Sequence, residues 1–231
     1  NVLTRDLKTY SSKLYHLLQN INKTQTGNVF IYTNYVNYGG TSLLRQLLLN
    51  NGYYEYSGKN ISEERYYKNF IVFDEGTSLR NREQFKRVFN SDENKDGKYI
   101  RIIIGSPIIS EGITLKAVRQ VHIMEPYWHP VRAEQVIGRA RRICSHKDLP
   151  KEMQTVDVFI YIMQFTQAQL DSEYAMELRI KSQDRSKLAP YPVQTSDQKL
   201  FEISNIKEKL SFQLLNGIKE SSIDCATYVK S

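Results

Sequence analysis

Eight residues, Gln135-Val136-Ile137-Gly138-Arg139-Ala140-Arg141-Arg142, put a glutamine, a glycine and three arginines into one short stretch. Guanidinium groups are permanently charged, planar and able to hold two oxygens at once. Arginines repeated on one face therefore make a clamp for phosphate. Read as a helix, Gln135, Arg139 and Arg142 fall at i, i+4 and i+7 and share that face. A glycine inside a helix costs about 1 kcal/mol against alanine, so Gly138 is expected where another backbone or a ligand comes close. The plainer alternative is a solvated basic helix, which accounts for the arginines but not for the glycine or the aligned Gln135.

Two further stretches offer groups of the same kind. Ile100-Arg101-Ile102-Ile103-Ile104 has the β-branched character of a central parallel strand. It runs into Gly105-Ser106-Pro107-Ile108-Ile109-Ser110-Glu111-Gly112-Ile113-Thr114-Leu115. A Gly- and Ser-rich loop at the C-terminal end of such a strand is where wound sheets bind ligands. Its N–H groups and hydroxyls can hold phosphate without reading sequence. Earlier, the strand Asn28–Thr33 ends at Thr33 and Asn34. Small polar residues there suit ordinary turn chemistry.

Taken in order, these segments resemble a known family. Gln135-x-x-Gly138-Arg139-x-x-Arg142 is similar to the last conserved motif of superfamily 2 helicases and translocases. Glu125-Pro126-Tyr127-Trp128-His129-Pro130 resembles the Asp/Glu-Pro-x-Trp-Asn-Pro run of the Swi/Snf-like group, with His129 in place of Asn. Gly112-Ile113 resembles the fifth motif, where Thr114 stands in place of the usual Asn or Asp. Similarity extends to the helicase-like transcription ATPases of large cytoplasmic DNA viruses. The resemblance implies the second of two RecA-like lobes, with Arg139 and Arg142 as arginine fingers and Gln135 aligning the water or γ-phosphate. It implies nucleotide contacts at Gly112, Thr114 and Gly138, and nucleic-acid contacts at Thr33, Asn34, Ser106 and Ser110. It further implies ATP with Mg²⁺ held mainly by a first lobe, DNA or RNA as partner, and an intracellular setting, host cytoplasm or virion if viral.

The elements that must position these residues alternate strand and helix, which predicts an α/β fold: a RecA-like parallel sheet flanked by helices, with a helical C-terminal extension. An opening amphipathic helix carries Leu7, Tyr10, Leu14, Leu17, Leu18 and Ile21 at helical spacing. Further strands are expected at Tyr53–Tyr56, Phe70–Asp74, Val121–Met124 and Val156–Phe165, with helices around Leu43–Leu48 and, behind a Ser78 N-cap, Leu79–Phe89. The lobe is expected over residues 1–166 and the extension over 167–231. That extension comprises a helix from Gln167 to Lys181, a Ser/Gln/Pro-rich connection, and a last helix carrying Leu200, Ile203, Ile206, Leu210, Leu214 and Ile218, packed on the lobe.

Composition sets the outer bounds. With 32 Lys+Arg against 25 Asp+Glu, the net charge of +7 suits a polyanionic partner without proving one. The two cysteines and four histidines show no metal-ligand spacing, so no metal site is expected. No apolar run approaches the roughly 20 residues of a membrane span. The 231 residues contain no Gly-x-x-x-x-Gly-Lys-Ser/Thr loop, so the chain carries one side of a nucleotide site. It begins with Asn rather than Met, and a fragment of a longer protein is expected. A non-catalytic nucleic-acid-binding or scaffold module that keeps such a lobe is the alternative.

Overall fold

The computed structural model describes residues 2–37, 39–58, 61–74, 76–107, 113–172 and 194–222. Helices α1 (Leu7–Tyr10) and α2 (Ser12–Asn22) precede β1 (Asn28–Tyr32) and α3 (Thr41–Asn50). Next come β2 (Tyr54–Glu55), β3 (Asn69–Phe73), α4 (Leu79–Phe89), β4 (Ile102–Gly105), β5 (Val118–Ile123), α5 (Pro130–Ala140) and β6 (Asp157–Ile160). Two more helices, α6 (Gln167–Asp171) and α7 (Ser196–Glu220), close the described chain.

The six strands form one sheet in the order β2-β3-β4-β1-β5-β6, and every pairing is parallel. Parallel strands need crossovers, and the helices that supply them cover both faces. Period-two alternation along β1 sends Val29 and Ile31 into the layer formed with Leu17, Ile21, Leu44 and Leu47. It sends Phe30 and Tyr32 into the opposite layer, with Phe89, Val121, Val136 and Ala140. Each such fully buried Val, Leu, Ile or Phe side chain contributes roughly 1.5–3 kcal/mol. This is the RecA-like α/β fold that the sequence predicts.

The chain divides into two compact units, Asn1–Glu125 with Ala133–Tyr161, and Pro126–Arg132 with Ile162–Ser231. In the second unit, Thr166 and Thr195 each form a capping box, with Gln169 and Gln198 respectively, that fixes the start of α6 and α7. The Met163 N–H donates to Asp197 Oδ2 at 3.0 Å. Lys207 Nζ stands 3.8 Å from the Trp128 ring centroid.

Three local expectations differ from the structure. The strand expected to reach Phe165 stops at Ile160. The charged run 91–98 is not simply an exposed loop: Asn94 is fully buried, donating to the Phe89 and Ile100 carbonyls and accepting from the N–H groups of Tyr99 and Ile100. The last helix forms where expected, but every residue from Leu210 to Glu220 is exposed, Leu210, Leu214 and Ile218 included. Amphipathic spacing specified the helix and its stripe, and among the described residues nothing buries the stripe's second half. The helix expected to run from Gln167 to Lys181 is seen to Asp171, and the part from 173 onward lies outside the described residues.

Candidate functional site

The loops that carry the expected site leave the C-terminal ends of β1, β4 and β5, which are adjacent in the sheet. At the end of β1, Thr33 is fully buried and its N–H donates to the Gly105 carbonyl at 3.0 Å. Its hydroxyl donates to Glu125 Oε1 at 3.1 Å, and the Asn34 N–H donates to Glu125 Oε2 at 2.9 Å. One carboxylate thus clasps the turn with two charge-assisted hydrogen bonds. The Thr33 oxygen in turn accepts from the Tyr35 N–H at 3.2 Å. Beyond the turn the chain doubles back so tightly that a Cβ on Gly40 would lie 1.8 Å from the Tyr35 carbonyl oxygen. Only glycine fits there, and α3 starts at the next residue.

Ser106, at the end of β4, is likewise fully buried. Its N–H and hydroxyl both donate to the Phe73 carbonyl, at 3.2 and 3.3 Å. The hydroxyls of Thr33 and Ser106, expected at a nucleic-acid surface, are therefore engaged inside the protein and fix the turns. Asn34 is half-buried, and its Oδ1 accepts from the Tyr32 hydroxyl at 3.1 Å. Ser110 and Gly112 lie outside the described residues.

The descending half of the β4–β5 loop is tied to the end of α5. Arg142 Nη1 donates to Thr114 Oγ1 at 2.5 Å, and the Leu115 N–H donates to the Arg139 carbonyl at 3.2 Å. Asn90, just past α4, completes the junction by donating to the Thr114 carbonyl and accepting from the Lys116 N–H, both at 2.8 Å. Thr114 and the arginine stretch, widely separated in sequence, are thus direct neighbours.

Along α5, Val136 and Ala140 are buried, Gln135 and Gly138 are exposed, and Arg139 is half-buried. The helix does not reach Arg142, contrary to the one-face reading. It ends at Ala140 because the Ser145 hydroxyl takes up the Ala140 carbonyl at 3.1 Å and Cys144 turns the chain at φ 63°. His146 secures that turn through Ser145 Oγ at 2.8 Å and the Val118 carbonyl at 2.6 Å. Gln135 and Arg139 still stand one helical turn apart. A Cβ on Gly138 would meet nothing within 4 Å, so none of the described residues makes the close approach that its presence implies.

Beneath the site, burial holds the His122 imidazole at a pKa of about 3, so it is neutral. It stacks on Phe159 with centroids 4.8 Å apart and pairs with Tyr161 and Gln120 at 2.9 and 3.2 Å. Asp74 makes an Asx turn, accepting from the Gly76 N–H at 3.0 Å. No group of three His, Cys, Asp or Glu able to hold a metal occurs among the described residues. Sequence reasoning missed Glu125, Gly40 and Asn90 as positioning residues. Glu125 alone carried a signal, as the first residue of the Glu-Pro-Tyr-Trp run.

A parallel sheet whose C-terminal edge gathers these loops beside a Gln-x-x-Gly-Arg-x-x-Arg stretch defines the second lobe of a superfamily 2 helicase. The chain belongs to the helicase conserved C-terminal domain family, which it matches over residues 11–144. More particularly, its relatives include proteins of large DNA viruses. It is 39% identical over 158 residues to a mimivirus protein named as a candidate ATP-dependent RNA helicase, covering 68% of this chain and 26% of that one. It is 29% identical over 249 residues to an African swine fever virus termination factor NPH-I homolog, covering 95% of this chain and 33% of that one. The chain therefore spans about a quarter to a third of these relatives. Among solved structures, the C-terminal part of the Fun30 ATPase domain aligns with a TM-score of 0.48 and 21% identity, over 84% of this chain and 51% of that one.

Proposed function

We propose that this chain is the second motor lobe of a nucleic-acid-dependent ATPase that works in the transcription of a large DNA virus. The observation that carries the reading is the junction of Arg142, Thr114 and the Arg139 carbonyl, which joins the arginine stretch to the loop after β4. In this reading the first lobe binds the triphosphate and Mg²⁺. Closure of the two lobes brings Arg139 and Arg142 to the γ-phosphate, where they neutralise charge developing on the transferred group. Such fingers are worth roughly 10³–10⁵ in rate. Gln135, exposed one turn before Arg139, orients the water or the γ-phosphate, and Gly138 leaves room for the approaching lobe. Thr114 adjoins the ribose and holds Arg142 until the nucleotide arrives.

On the nucleic-acid side, Thr33 and Ser106 act through the turns they fix, while Asn34 and Ser110 meet the phosphate backbone. Glu125 links that turn to β5, whose following residues lead into α5, so closure at the nucleotide is transmitted to the strand being moved.

The reading is tested by assaying ATP hydrolysis, with and without single-stranded DNA or RNA, for the 231-residue chain and for the protein that includes a first lobe. The two-lobed protein is expected to turn over and to be stimulated. The chain alone is expected to give none, because it has no P-loop. Clear turnover by the chain alone overturns the assignment.

A further inference from the structure

A cavity of about 610 Å³ lies at the opposite edge of the sheet, where β1 to β4 begin. Its walls come from the segments just before those strands, including Thr26, Tyr53, Tyr66, Tyr67, Lys68 and Arg101, and no carboxylate is among the described residues that line it. Arg101 is the unusual member. It is 4% exposed, yet among the described residues its partners are neutral oxygens of Ile21, Thr24 and Tyr53, and its buried Nε has none. Donation to the Ile21 carbonyl explains part of this, because a cation at the end of α2 offsets the helix dipole. It leaves a buried guanidinium without a counter-charge among the described residues, which costs free energy unless an anion completes it. Burial correspondingly pushes the Arg101 pKa down, with Tyr53 opposing the shift.

Two further features point the same way. Tyr67 holds φ at 63°, a conformation that is strained for a bulky residue and that clusters at ligand clamps. The volume is far beyond a bare phosphate and falls within the range for small-molecule sites, which is roughly 300–1,000 Å³. Three tyrosine rings supply flat apolar wall, and Lys68 adds a second, exposed cation.

The geometry points to a second binding site in this lobe, on the edge away from the motor cleft, for a phosphorylated ring compound of mononucleotide size. Its anion pairs with Arg101 and Lys68 and its ring lies against the tyrosines. The site is independent of ATP turnover and does not rest on the arginine fingers.

Titration of the 231-residue chain with adenosine 5′-monophosphate, by calorimetry and by amide NMR shifts, tests this. Binding is expected to perturb the amides of Gly52, Tyr53 and Tyr66–Lys68. Lys68→Ala, at an exposed position that folding tolerates, is expected to weaken binding at least tenfold, and Arg101→Met at least as much. Arg142→Ala is expected to leave it unchanged. Adenosine or inorganic phosphate binding as tightly as the nucleotide overturns the proposal. So does wild-type affinity in Lys68→Ala, or loss of binding in Arg142→Ala, which would move the nucleotide to the motor edge.

Discussion

His122 makes the stability of this lobe depend on pH in a calculable way. The imidazole is buried between Phe159 and Tyr161, and desolvation lowers its pKa from 6.5 to about 3. In the unfolded chain it titrates at its ordinary value, so between these limits the unfolded state binds the extra proton. Stability is therefore full above about pH 6.5 and falls as pH drops toward 3. From pH 7.5 to 5.0 the loss is RT ln of roughly 30, or about 2 kcal/mol. Urea unfolding followed by circular dichroism at both pH values measures it. A His122→Phe variant keeps a ring against Phe159 but cannot titrate. It is expected to be less stable at every pH, because Tyr161 and Gln120 lose their partner, and to lack that 2 kcal/mol of the wild-type decline. If the variant declines by the same amount as wild type, the buried neutral imidazole is not the cause and the reasoning fails.

Two other substitutions probe the turn after β1. Glu125→Ala removes the acceptor of the Thr33 hydroxyl and the Asn34 N–H, and at about 1–3 kcal/mol for each donor that loses it it is expected to cost about 2–6 kcal/mol in urea unfolding. The same variant in the two-lobed protein is expected to weaken single-strand affinity, and unchanged stability and affinity would show that the clasp is dispensable. Gly40→Ala puts a methyl 1.8 Å from the Tyr35 carbonyl. It is expected to cost about 1–3 kcal/mol, and an unchanged unfolding midpoint would contradict the pinched geometry.

The strands and helices were legible because their signals are local. β1 reads as a buried strand, and the two faces it feeds follow from alternation along Asn28–Tyr32. The Gln135–Arg142 stretch declared its chemistry through residue type alone. What could not be read was set by partners distant in sequence. The end of α5 depends on Ser145 and Cys144, which no helical periodicity encodes. Thr33 and Ser106 were expected at a nucleic-acid surface through the family resemblance; here a carboxylate just past β5 and a carbonyl from β3 take their hydroxyls. The buried Arg101 was hidden within an apolar run, where one charged residue reads as an interruption rather than as a cavity wall. The stripe on α7 shows the converse limit. Spacing identifies an apolar face, but it does not supply the surface that would cover it.

The central claim is that Arg139 and Arg142 act on a nucleotide held by another lobe. Its most direct test is nucleic-acid-stimulated ATP hydrolysis by the two-lobed protein carrying Arg139→Ala or Arg142→Ala, with ATP binding and thermal unfolding measured alongside. The account predicts that turnover falls by roughly 10³-fold or more while nucleotide still binds and the fold is retained. Near-normal turnover in both variants would contradict it.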